Sequence, residues 1–249
     1  MPRLLLSDEH WSKLRGIMSH QRIYDKPGLR QTVEGILYRL RTGCPWRDLP
    51  REFGDWNSIY KRFNDWSSKG KLLGLFKSLV QDPDHEWEFI DGSIVRAHQH
   101  SSGAASEEEQ AIGKSRGGNT SKIHLVVDAY GLPIDFEITG GEVNDCIVAP
   151  ELIARIPVAT AVIADKGYDS EKLREQITEK GSVAVIPRRR NSKKGNEGMD
   201  WCLYKYRHLV ENSFARLKHF RSIATRYDKL KRNYQGMVAL ACGFLWLPM

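Results

Sequence analysis

The apolar residues of this 249-residue chain change their period near residue 85, and that change limits the fold more than any other feature. Before it, apolar side chains recur at helical spacing; after it, they gather into short runs of the kind that buried strands carry. Ser7 can cap a helix bearing Trp11, Leu14 and Met18, and Pro27-Gly28 breaks the chain after it. Val33, Ile36, Leu37 and Leu40 mark a second helix, which ends near Thr42-Gly43 because Pro45 cannot continue it. Asp55 reads as the N-cap of a third, with Trp56, Tyr60, Phe63 and Trp66 as a stripe expected in a core rather than as a stacking platform. Residues 1–82 therefore read as an all-helical, helix-turn-helix-like domain, and residues 81–84 as its linker.

Beyond the linker, Trp87, Phe89 and Ile90 lead to Asp91-Gly92, and Ile94-Val95 continue the strand. The stretch from His98 to Thr120 has no periodicity and reads as a mobile loop. Ile123 to Val127 and Ile134 to Thr139 follow as strands, so the first three look like an antiparallel meander. A helix at 145–156 and a strand at 161–164, ending at Asp165, come next. A helix capped by Asp169 then leads to a strand at 183–186. A long helix from Leu203 to Phe220 and a last one from about Lys229 to Leu247 close the chain. Strands followed by alternating helices and strands imply an α/β fold, one mixed sheet flanked by helices; residues 83–249 have the element order of the ribonuclease-H-like fold.

The charge changes sign along the chain. Residues 1–82 hold 15 Lys/Arg against 9 Asp/Glu, residues 83–187 hold 9 against 18, and residues 188–249 hold 14 against 4. Basic flanks suit a polyanion, since Lys and Arg neutralise phosphates and release counterions. An acidic centre suits divalent cations, which need carboxylate oxygens. No apolar run approaches the roughly 20 residues of a membrane span. The N-terminal apolar run is too short for a signal peptide, so a soluble, cytoplasmic protein is expected. Cys44, Cys146, Cys202 and Cys242 form no C-x-x-C pair, which argues against a zinc ribbon or disulfide framework and for reduced, mostly buried thiols.

Three acids stand where chemistry is plausible. Asp91 and Asp165 each end an apolar run before or near a glycine, a position that points a carboxylate into the crevice at the edge of a sheet. Glu211 borders the helical face marked by Val210, Phe214 and Leu217, where an acid needs a partner. Three carboxylates fit a two-metal site, one ion activating the attacking oxygen and the other stabilising the leaving one; magnesium suits such ligands.

Tyr204, Arg207, Glu211 and Lys218 match Y-x2-R-x3-E-x6-K without a gap. That signature resembles the bacterial insertion-sequence transposases of the DDE class, in the insertion-sequence-four/five superfamily. Asp91 within residues 89–93 and Asp165 within residues 164–169 resemble the family's first two acids, and the stretches 46–50, 115–124 and 224–228 fit as well. The resemblance covers nearly the whole chain. It implies that Asp91, Asp165 and Glu211 bind two Mg²⁺ ions, with Mn²⁺ as a substitute. It also implies that Tyr204, Arg207 and Lys218 contact DNA near the scissile bond. The implied reaction hydrolyses a phosphodiester at each element end and lets the freed 3′-OH attack target DNA. The implied partners are double-stranded DNA, as terminal inverted repeats and target, and a second copy of the chain as a homodimer on DNA. Only 45 residues separate Asp165 from Glu211, which leaves no room for a large inserted β-domain. A DNA-binding protein derived from a transposase but without catalysis, and a metal-dependent endonuclease that does not join ends, remain as alternatives.

Other features compete for attention. His98 and His100 form an H-x-H pair, a zinc pattern in some hydrolases, but no third ligand falls at a supporting spacing, so polar contact to DNA or plain exposure is expected. Asp128, Glu137, Glu142 and Asp145 are further carboxylates, of which Asp128, at the end of the second strand, is the leading extra candidate. Arg188, Arg189, Arg190, Lys193 and Lys194 lie on a loop before the Glu211 helix and are expected to meet phosphates as one diffuse patch that reads no bases.

Overall fold

The computed structural model describes residues 2–103 and 109–248. In chain order the elements are helices α1 (Asp8–His20), α2 (Leu29–Thr42), α3 (Trp56–Ser68) and α4 (Lys71–Leu79); strands β1 (Trp87–Ala97), β2 (Gly113–Ser115), β3 (Gly118–Val127) and β4 (Pro133–Gly140); helix α5 (Asp145–Arg155), strand β5 (Ala161–Ala164), helix α6 (Glu171–Glu179) and strand β6 (Val183–Val185); helices α7 (Trp201–Tyr204), α8 (His208–Lys218) and α9 (Arg221–Ala224), the two-residue strand β7 (Thr225–Arg226) and helix α10 (Lys231–Trp246). They divide into two compact units. One comprises Met1–Gln81, Arg96–Gln110 and Leu217–Met249; the other comprises Asp82–Val95 and Ala111–Arg216.

In the first unit the helix signals act as read. The Ser7 hydroxyl accepts from the His10 N–H at 3.1 Å, and the Asp55 carboxylate accepts from the Ser58 N–H at 2.8 Å. The apolar stripes meet in one core containing Leu14, Met18, Leu40, Phe63, Leu72 and Phe76. Of the aromatic stripe, Phe63 and Trp66 are buried, while Trp56 and Tyr60 are half-buried. Helix α10 joins these helices, although 151 residues of sequence intervene between it and α4. It is apolar on most of its circumference, with Met237, Val238, Ala241 and Cys242 all buried, so it needs neighbours on several sides. Glycines let those neighbours approach. A Cβ on Gly236 would stand 2.7 Å from the Ser67 hydroxyl, and one on Gly243 would stand 2.9 Å from a Leu79 methyl.

Two buried arginines tie the far-apart segments of this unit together. Arg39 forks onto Asp228, with Nη2 donating to Oδ1 at 3.2 Å, and its guanidinium lies 4.5 Å from the centre of the Trp46 ring. Arg226 is fully buried; its Nε donates to the Asp228 carbonyl at 2.9 Å and its Nη2 to the carbonyls of Gln110 and Lys229. β7 pairs in parallel with Arg96 and Ala97 at the end of β1.

In the second unit the sheet order is β2-β3-β1-β5-β6, with β4 on β3. β1 pairs in parallel with β5, β5 in parallel with β6, and β3 antiparallel with β4 and β2. The fold is therefore a mixed α/β sheet with helices, as expected. Three local readings need correction. β1 runs on through Asp91, so that acid lies inside a strand rather than at its end. The stretch 98–120 carries a 3-10 turn at Gln99–Ser101, the strand β2 and the start of β3; Ser115 and Gly118 close a hairpin, so most of it is ordered, while residues 104–108 lie outside the described residues. The expected helix from Leu203 to Phe220 is broken into α7, a 3-10 turn at Lys205–Arg207, and α8. None of the four cysteines forms a disulfide, and Cys242 alone of them is buried, against the expectation of mostly buried thiols.

Asp228 is 8% exposed and Arg39 5%, so losing either partner strands a charge away from water. Arg39→Ala is expected to cost about 3–5 kcal/mol in chemical unfolding. A loss below about 1 kcal/mol, the level of an exposed pair, would contradict this account of the core.

Candidate active site

Asp91, Asp165, Tyr204, Arg207 and Glu211 all belong to the second unit. Asp91 comes from the middle of β1 and Asp165 from the end of β5, and these strands are neighbours in parallel register, with Ile90 opposite Ala164. The register sets Asp91 beside the end of β5, and Asp165 is the first residue after that strand. Asp165 caps the 3-10 turn Lys166–Tyr168, accepting from the Gly167 N–H at 2.7 Å. Asp91 accepts from the Gly92 N–H at 2.8 Å.

Arg207 connects Asp91 to Glu211. Its Nη1 donates to Asp91 Oδ2 at 3.2 Å and its Nη2 to Glu211 Oε1. Arg207 and Glu211 are four residues apart on the helical stretch, the spacing that stacks side chains on one face. The guanidinium also lies 6.0 Å from the Tyr204 ring centre. Glu211 itself is half exposed while Val210 and Phe214 beside it are buried, as the helical pattern requires.

Burial raises the Asp91 carboxyl to about 6; Asp165 and Asp145 add to the rise, and the Gly92 N–H and Arg207 oppose it. The donor set is all carboxylate oxygen, which fits a hard divalent cation. Among the described residues, no three His, Cys, Asp or Glu side chains converge closely enough to hold a metal ion. The Arg207 guanidinium supplies the positive charge between Asp91 and Glu211 in this state.

The other candidates separate. Lys218 is the last residue of α8 and falls in the first unit; burial lowers its ammonium pKa. Asp128 is a turn residue, accepting from the N–H groups of Tyr130 and Leu132 at 3.0 and 2.8 Å. Glu137 pairs with Arg155. His98 stacks on Tyr227 with ring centres 4.6 Å apart.

The basic loop is partly engaged within the protein. Arg189 donates from Nη2 to the Gly167 carbonyl at 2.7 Å and from Nε to the Lys166 carbonyl at 3.3 Å, while its N–H donates to Asp169 at 2.8 Å. Arg188 pairs with Asp169 and Glu171, and Lys194 with Glu171 at 3.0 Å. Arg188 and Arg189 thus brace the turn that follows Asp165, Lys194 pairs with Glu171 at the start of α6, and Arg190 and Lys193 are exposed, as are Arg189 and Lys194. Asp169 serves this brace rather than capping α6, whose N-cap is Ser170.

Asp145 adjoins the site more closely than the sequence suggested. A Cβ on Gly92 would stand 2.3 Å from its Oδ1, so the glycine after Asp91 makes room for that carboxylate rather than turning the chain. Lys122 and His124 on β3 flank Asp145, with His124 Nδ1 3.2 Å and Lys122 Nζ 3.3 Å from Oδ1. These contacts outweigh burial and keep the Asp145 carboxyl below the usual range. Asn144 caps α5 at this point by accepting from the Cys146 N–H, and that Asn-Asp pair before an apolar run was the only signal in the sequence.

The Asp91 environment sets a pH dependence. Folded Asp91 keeps its proton up to about 6, whereas the ordinary value is 3.8, so the folded state binds more protons between these limits. Its contribution to stability is therefore lost as pH rises through that window. In metal-free protein, the stability difference between wild type and Asp91→Asn is expected to move against wild type by up to about 1.4 kcal/mol per pH unit there. A difference independent of pH in urea unfolding contradicts the assignment.

Comparison with known proteins gives the family. The family model described as "Transposase DDE domain" matches residues 88–246, and that of "Putative transposase of IS4/5 family" matches residues 6–76. The chain is 38% identical over 128 residues to the "Putative transposase for insertion sequence element IS6501" of Brucella ovis, covering 51% of this chain and 98% of that one. It is 34% identical over 133 residues to the corresponding protein for IS402 of Burkholderia cepacia, covering 49% and 60%. Among solved structures, the piggyBac transposase synaptic complex with hairpin DNA matches with a TM-score of 0.42 and 10% identity, over 75% of this chain and 50% of that one. The chain belongs to the DDE-domain transposase family of bacterial insertion sequences.

Proposed function

We propose that this protein cuts the ends of an insertion sequence and joins the freed 3′-OH to target DNA, using Asp91, Asp165 and Glu211. The observation that carries this reading is the meeting, at one place on the second unit, of strand-borne Asp91 and Asp165 with Arg207 and Glu211 of the Y-x2-R-x3-E-x6-K signature. Asp91 and Asp165 would hold a divalent ion, Mg²⁺ or Mn²⁺, with Glu211 completing a pair of sites. When bound, such ions activate the attacking oxygen and neutralise the leaving one. The chain's own residues supply position and charge. The sheet register fixes the separation of Asp91 and Asp165, and the brace from Arg189 and Asp169 fixes the turn that carries Asp165. Arg207, once released from the carboxylates, is a bidentate donor suited to a phosphate beside the scissile bond. Tyr204 stacks within reach of it.

The order β4-β3-β1-β5-β6, with the acids on adjacent central strands, supports a ribonuclease-H-like reading of residues 83–249. The helices of residues 1–82, with their excess of Lys and Arg, support a helix-turn-helix-like DNA-binding role. Exposed Arg190 and Lys193 are suited to sequence-independent phosphate contact. We place the protein in the cytoplasm, acting on double-stranded DNA as a homodimer; no helix among the described residues is long and apolar enough to cross a membrane.

The reading is tested by strand transfer of a labelled terminal-repeat oligonucleotide in Mg²⁺. Wild type is expected to yield joined product and Asp165→Asn, which keeps shape but loses charge, to yield none. Joined product in the variant overturns the assignment. Cleaved but never joined product from wild type would favour a metal-dependent endonuclease, and DNA binding without cleavage a non-catalytic descendant.

A further inference from the structure

Tyr168 is 1% exposed, and its hydroxyl oxygen is out of contact with water and has no hydrogen-bond partner among the described residues. A buried hydroxyl left without a partner costs about 1–3 kcal/mol, and a tyrosine normally finds one. Phenylalanine would fill the same space without that cost. The position is fixed by the turn after Asp165: the Tyr168 N–H donates to the Asp165 carbonyl at 3.1 Å, and the Arg189 brace holds the carbonyls of Lys166 and Gly167 on the same turn.

The surroundings say what the hydroxyl faces. The carboxylates of Asp145, Asp91 and Asp165 and the Cys146 thiol all lie near enough to act on it through charge. A phenol hydroxyl carries one proton to donate, which the oxygen of an added water can accept. Cys146 is engaged elsewhere: its Sγ donates to the Gly167 carbonyl at 3.0 Å and accepts from Arg189 Nη2 at 3.9 Å. Asp145 is turned toward Lys122 and His124, and Asp165 toward the Gly167 N–H. The acids therefore lie close enough to act on the hydroxyl through charge, yet none accepts its proton.

We propose that Tyr168 is a positioning residue for the divalent ion of the Asp91 and Asp165 site, its hydroxyl donating to a water oxygen in the ion's coordination shell. This inference rests on the metal-site reading above. An ion bound by carboxylates keeps several waters, and those waters need acceptors or donors in fixed places. The unpartnered hydroxyl provides one such place, set by the same turn that sets Asp165. The arrangement stores a cost in the metal-free protein that the bound ion relieves.

The test is Tyr168→Phe, read by Mn²⁺ titration calorimetry and by thermal unfolding in chelator, beside wild type and Asp165→Asn. The metal-free Tyr168→Phe protein is expected to unfold at the same temperature as wild type or higher, since a partnerless hydroxyl has been removed. Its Mn²⁺ dissociation constant is expected to rise about tenfold or more, the usual effect of removing a group that supports the coordination shell. Wild-type Mn²⁺ affinity in Tyr168→Phe, with binding lost in Asp165→Asn, overturns the role of the hydroxyl and leaves the metal site standing. Mn²⁺ binding retained in Asp165→Asn overturns the metal site and this inference with it. A metal-free Tyr168→Phe protein that unfolds well below wild type shows the hydroxyl to serve the fold and also overturns the proposal.

Discussion

Asp91 and Glu211 share one guanidinium, and acids that would hold a cation under the proposed function need their charge balanced when the cation is absent. Here Arg207 meets that constraint. Its guanidinium donates to Asp91 on one side and Glu211 on the other, joining a sheet strand to a helix through charge. Burial works against that positive charge, and the two carboxylates more than compensate, so the guanidinium is held more firmly protonated than usual. The fork of five donors makes arginine able to serve two acids at once, which a lysine cannot do with the same geometry. The same property suits it to a phosphate once the acids are otherwise occupied.

The rest of the site follows from making rigid what Arg207 holds. Asp91 is fixed by its place inside β1, and Asp165 by a tight turn whose carbonyls are tied down by Arg189. The glycine after Asp91 exists so that Asp145 can approach the strand, and Lys122 and His124 keep that neighbouring acid occupied. Polar groups in such a place are either paired within the protein or wait for a ligand. Tyr168 is of the second kind; Asp145 is ion-paired with Lys122 and His124, yet its Oδ1 accepts no hydrogen bond among the described residues.

The sequence made some of this legible and hid the rest for physical reasons. Helix caps are local, so Ser7 and Asp55 could be read directly. Apolar runs announced β3, β4 and β5, because strands buried in a sheet need little else. The Y-x2-R-x3-E-x6-K spacing pointed to residues 204–218, and the structure brings Arg207 and Glu211 of that set to Asp91. What depended on distant partners did not show. The basic run at 188–194 looked like a free phosphate patch, and only the fold reveals that Asp169 and Glu171 claim part of it. Asp128 looked like a spare ligand until the turn at 128–132 showed which N–H groups it serves. The helix α10 lies at the end of the chain, and nothing local says that it packs with helices from the beginning.

The central claim is that Arg207 stands where cationic charge is needed until a divalent ion arrives. Anomalous diffraction from a crystal soaked in Mn²⁺ tests it most directly. The account predicts a manganese peak about 2.1 Å from oxygens of Asp91 and Asp165, the spacing of a small hard cation, with Arg207 no longer donating to Asp91. A peak elsewhere on the protein, or manganese between those acids with the Arg207–Asp91 bond intact, would contradict it.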